Sequence, residues 1–111
     1  MNKFEQLKKI VSLMFDGVSV YRSAIFISDA DFYVQIFVAG TKVEIDRIEP
    51  LLVWKSDYDT NYPILRNQEI SDEREIHRYP HGDKIYESHR IILDLDDPHL
   101  LRKALKFITN I

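Results

Sequence analysis

The sequence predicts an α+β domain, a two-layer sandwich. An N-terminal and a C-terminal helix pack on one face of an antiparallel sheet of about five strands, in the order α-β-β-β-x-β-β-α with x irregular. Three observations carry this expectation. Apolar residues recur at helical spacing at both ends of the chain, and they alternate with period two in the middle. Turn sequences punctuate that alternation at short intervals.

The first helix is expected over residues 3–16, where Phe4, Leu7, Val11, Met14 and Phe15 form one apolar stripe. Asn2 stands as its N-cap with Glu5 three residues on, a capping-box spacing. Gly17 stands where a helix C-terminal glycine belongs. Val18 to Ile27 is rich in β-branched and aromatic residues and reads as a strand. Ser28-Asp29-Ala30-Asp31 has turn composition. In the next strand Phe32, Val34, Ile36 and Val38 alternate with Tyr33, Gln35 and Phe37. A tight turn at Gly40-Thr41 leads to a third strand, Lys42 to Ile48, with Val43 and Ile45 facing in. Pro50 interrupts the next segment, and Leu51 to Trp54 fits either a short strand or a helical turn. Residues 56–63 have loop composition. A second hairpin joins Glu73–Tyr79 to Lys84–Leu95 through Pro80-His81-Gly82-Asp83, with Ile85, Ile91, Leu93 and Leu95 on one face. The last helix begins at Asp97 as N-cap with Pro98 behind it, and Leu101, Ala104, Leu105 and Ile108 form its inner face.

Size and composition are those of one globular domain, residues 1–111. At 45% hydrophobic and 30% charged residues the chain can bury a core without disulfides or metal. It has no cysteine, which excludes thiolate zinc sites, iron–sulfur clusters and cysteine nucleophiles. Together with the absence of a signal-peptide pattern, this predicts a reducing, cytoplasmic setting. No apolar run approaches the roughly 20 residues that span a bilayer, so no membrane association is expected. The net charge of −3 gives the chain no overall attraction for nucleic acid.

Four constellations are candidates for chemistry. His77, His81 and His89 fall in or near the second hairpin, and His77 and His89 face one another in some registers. A solvated strand face explains them without a metal. Asp29 with Asp31, and Asp94 with Asp96 and Asp97, are acidic groups of a magnesium-binding kind. A turn and a helix cap account for them one by one. Glu44, Asp46 and Lys55 are the nearest approach to a nuclease pattern, with the wrong spacing. Arg74, Arg78, Lys84 and Arg90 interleave with Tyr79 and Tyr86 as in sheets that hold single strands. Glu73, Glu75, Asp83 and Glu87 nearly cancel their charge. No Gly-x-Ser-x-Gly elbow and no phosphate-cradling glycine loop occurs.

The expected function is a non-catalytic protein-binding module of the adaptor, inhibitor or chaperone-like kind. Its partner is another protein or a second copy of the chain. Tyr33 and Phe37 on the outer sheet face, with Trp54, Tyr58 and Tyr62, are the expected contact residues. No cofactor and no metal ligand is assigned. The alternatives are a nucleic-acid-binding domain using residues 73–95, and a metal-dependent nuclease or hydrolase.

Overall fold

The computed structural model describes residues 2–54, 68–70 and 74–110. Helix α1 spans Lys3–Met14. Strands β1 (Val18–Tyr21), β2 (Ala24–Ser28), β3 (Tyr33–Ala39), β4 (Lys42–Trp54), β5 (Gln68–Ile70), β6 (Arg74–His81) and β7 (Lys84–Asp94) come next in the chain, and helix α2 (Pro98–Thr109) closes it. All seven strands belong to one sheet in the order β1-β2-β3-β4-β7-β6-β5. Every pairing is antiparallel. The predicted α+β class is therefore present, with an N-terminal and a C-terminal helix.

Both helices start as their caps dictate. The Asn2 side chain accepts from the Glu5 amide at 2.8 Å, and that of Asp97 accepts from the Leu100 amide at 3.0 Å. The first helix is shorter than expected and stops at Met14, with Phe15 extended behind it. Gly17 is thus no helix cap. A Cβ on it would lie 2.9 Å from the Ser28 carbonyl oxygen, so glycine is required there for the close approach of two backbones.

The sheet has more strands than the period-two pattern alone announces. The expected strand over residues 18–27 is two strands, folded back at Arg22-Ser23 with Arg22 in the left-handed region at φ 57°. Residues 68–70 add a short strand on β6. Pro50 does not end β4. The β3 ladder stops at the Tyr33–Ile48 pair, so a residue without an N–H costs least beyond it, and the register with β7 shifts between Pro50 and Trp54.

One face of the sheet carries the core. Ile25, Ile36, Ile45 and Ile91 stand in register across β2, β3, β4 and β7. They pack with Leu7 and Val11 of α1 and with Leu101, Ala104, Leu105 and Ile108 of α2. Burying side chains of this size stabilises by roughly 1.5–3 kcal/mol each, which is what fixes the helices on this face. Among the described residues no helix is long and apolar enough to cross a membrane.

Candidate functional site

The period-two alternation sorts the polar residues of β4, β6 and β7 between two faces, and each face holds a charged cluster. On the face opposite α1 and α2, helix-free among the described residues, Asp46 pairs in register with Arg90, and Ile48 with Ser88 and His77 beyond it. Asp46 is only 5% exposed although none of the described helices lies over it. Arg90 Nε donates to Asp46 Oδ1 at 2.8 Å and lies 3.5 Å from Glu44 Oε2. This pair floors a hollow of about 550 Å³, walled by Gln35, Phe37, His77 and Tyr79. A second hollow of about 530 Å³ adjoins it, lined by Phe26, Asp29, Tyr33 and Tyr86, and both reach Ile48.

Tyrosines dominate the rim. Tyr79 stacks on Tyr86 with ring centroids 6.1 Å apart, and Tyr33 lies against Phe26 at 6.4 Å. Burial raises the pKa of Tyr33 above its ordinary value, helped by Tyr86 and Asp46. Burial likewise raises that of Tyr79, helped by Tyr33, Tyr86 and Asp46. The hydroxyls of three strands thus converge on one acidic floor, and those of Tyr33 and Tyr79 remain neutral hydrogen-bonding groups at physiological pH.

The opposite, helix-bearing face holds the second cluster. Arg47 faces His89 in register and Glu49 faces Glu87, with Arg78 of β6 opposite Glu87. Each glutamate divides its two oxygens. Glu49 Oε2 pairs with Arg47 Nη2 at 3.2 Å, and Glu87 Oε2 with Arg78 Nε at 2.8 Å. Their Oε1 atoms lie 3.2 Å and 2.7 Å from His89 Nε2. Arg47 also donates through Nη1 to the carbonyl of Ile108 at 3.0 Å, and its guanidinium lies over the Phe32 ring at 3.7 Å.

The predicted site residues separate accordingly. Tyr33 and Phe37 do share the helix-free face with the hollows. Trp54 ends β4, its backbone paired with Lys84, while Tyr58 and Tyr62 lie outside the described residues. The histidines do not form one group. His77 pairs with Ser88 and Ile76 with His89, so His77 and His89 are on opposite faces, and His81 sits at the hairpin end beside Tyr86. The basic residues do not form one stripe either. Arg78 is engaged on one face by Glu87 and Arg90 on the other by Asp46, Lys84 is at the turn, and Arg74 starts β6. Of the acidic groups, Asp94 pairs with Lys42, Asp96 with Lys3, and Asp97 caps α2. Asp29 accepts from the Asp31 amide within its turn.

Neither cluster was named from sequence. Its signal was the in-phase run Val43, Ile45, Arg47, Glu49 and the matching Ile85, Glu87, His89, Ile91, where charges occupy positions that alternation assigns to the covered face.

The chain matches no protein-family model, no curated protein and no solved structure. Its two charged faces are therefore what bears on function.

Proposed function

We propose that this chain is a non-catalytic binding module that receives another protein on the helix-free face of its sheet. The observation that carries the reading is the buried Asp46 carboxylate, paired with a half-buried Arg90, at the floor of a hollow of about 550 Å³ that holds Tyr79 and adjoins a second one lined by Tyr33 and Tyr86, on a face that no described helix covers. Tyrosine and arginine are the residues that dominate binding energy at protein interfaces, and they do so in desolvated pockets surrounded by weaker contacts. A cysteine-free chain fits a reducing, cytoplasmic setting for that encounter.

The division of the basic residues argues against the nucleic-acid alternative. A phosphate-tracking groove needs its cations on one surface. Arg78 and Arg90 point to opposite faces, and both are in ion pairs.

The test is capture from an extract of the native host by the immobilised full chain. Protein and nucleic acid are recovered from the same eluate, with light scattering on the purified chain to report self-association. A defined protein, or a second copy, held by the parent chain and by Lys8→Ala on α1 but lost with Tyr33→Ala and Phe37→Ala is the expected result. Retention by all variants would sink the face assignment. Nucleic acid in place of protein would favour the alternative.

A further inference from the structure

We infer that Glu49, Glu87 and His89 form a binding site for a divalent transition-metal ion of the zinc class, on the opposite face of the sheet from the proposed partner surface. One ligand atom from each residue lies within 4.8 Å of the others. One nitrogen and two carboxylate oxygens are the borderline-hard donor set that zinc and its neighbours take, and three protein ligands leave a fourth, tetrahedral position for water.

An independent observation points to a ligand. His89 is only 7% exposed, yet neither of its ring nitrogens has a hydrogen-bond partner. Nε2 lies close to both Oε1 atoms, but neither contact has the in-line geometry of an N–H···O bond. A buried imidazole in that condition is costly unless something occupies the direction of its lone pair. Oxygens held near a ring nitrogen but off its axis are where co-ligands of a shared ion stand. Metal–ligand lengths of about 2.0–2.2 Å set neighbouring donors roughly 3.3–3.6 Å apart in a tetrahedral shell. The Glu49 separation of 3.2 Å comes close to this, and the Glu87 contact of 2.7 Å has to open by roughly 0.6–0.9 Å.

The surroundings are those of a held shell. Arg47 and Arg78 each take the outer oxygen of one glutamate, which orients the inner oxygen toward His89. Hydrogen-bonded carboxylate ligands of this kind are the usual second layer of a metal centre. The two guanidiniums also offset both carboxylates, so the site binds more weakly than one with bare carboxylates. The Glu49 side chain is the most open of the three, 27% exposed against 12% for Glu87 and 9% for His89, and gives the ion its way in.

The metal-free full chain is titrated with zinc chloride by calorimetry, and with cobalt(II) followed by visible absorption. One ion per chain is expected, with a low-coordinate cobalt band and a melting temperature that rises with zinc concentration. Glu49→Gln, which keeps a partner for Arg47, should weaken binding by about tenfold or more. His89→Gln should abolish the cobalt band, while His77→Ala and His81→Ala leave it unchanged. Absence of saturable binding up to about millimolar zinc, or binding untouched by Glu49→Gln, would overturn the site. Loss of binding in the His77 or His81 variant would likewise assign the ion to the other residues. Glu49→Gln alone keeps the question decidable if His89→Gln does not fold.

Discussion

Arg47, in the middle of β4, donates to the main-chain carbonyl of Ile108, the last buried residue of α2, at 3.0 Å. The guanidinium thereby satisfies a carbonyl that the helix end leaves open, and it places a positive charge at the negative end of the helix dipole. The same side chain clamps Glu49 and covers Phe32. Arg47→Ala strips the cap and leaves a carboxylate short of its counter-charge. Glu49 is 27% exposed, so the loss is set by the hydrogen bonds of a charged group, about 1.5–3 kcal/mol, and urea unfolding should register a loss in that range. A loss under about 1 kcal/mol, the scale of surface pairs, would show that the clamp does not hold α2.

At Gly17 the obstacle is steric. Its carbonyl oxygen accepts from the Ser28 amide at 3.0 Å, and an added Cβ would meet the Ser28 oxygen at 2.9 Å. Gly17→Ala should destabilise by about 1–3 kcal/mol, as overpacking does, whereas Ser12→Ala on the exposed side of α1 should be nearly neutral. Equal melting temperatures for the two variants would refute the contact.

Asp46 and Arg90 offer a direct energetic test of the helix-free face. A double-mutant cycle with Asp46→Ala and Arg90→Ala should return a coupling of about 0.5–3 kcal/mol, the range for residues sharing one network. The 3.5 Å contact to Glu44 remains in the Asp46 variant and keeps the value toward the lower end. Additive single effects would mean that the pair is only a surface contact.

Alkaline titration examines the tyrosine rim. The pKa values of Tyr33 and Tyr79 are raised above the ordinary 10.0, chiefly by burial. A raised value in the folded state means that folding is favoured while the hydroxyls are protonated. That contribution is whole below 10.0 and is lost as pH climbs through the folded values. The melting temperature should therefore fall in this alkaline range, and Tyr33→Phe with Tyr79→Phe should flatten the fall. Tyrosinate absorbance should show two fewer late-titrating hydroxyls in the double variant. A parent-like alkaline profile would show that these hydroxyls are ordinary surface groups.

Much of the architecture was written in local signals. Asn2 and Asp97 start their helices through bonds made within three residues, and the turn sequence Pro80-His81-Gly82-Asp83 marks where β6 folds back into β7. The register that sets His77 opposite Ser88 and apart from His89 did not follow from them, since the turn composition fits more than one turn position. The helix end at Met14 and the passage of β4 through Pro50 did not either, because each depends on a neighbouring strand. Gly17 serves a backbone contact with β2, and Pro50 is tolerated where β3 has stopped pairing.

Sequence alone thus determined the α+β class, both helix starts and the inward phase of β3, β7 and the first half of β4, since these rest on side-chain chemistry and spacing within a few residues. Only the tertiary structure decided that β4 lies beside β7. That pairing brings Arg90 to Asp46, 44 positions away, and stands Arg47 and Glu49 opposite His89 and Glu87. The physical reason is that alternation states which face a residue occupies but not which strand it will meet. The choice of neighbour is made by burial of the whole isoleucine face under two helices, a free energy that no single strand carries.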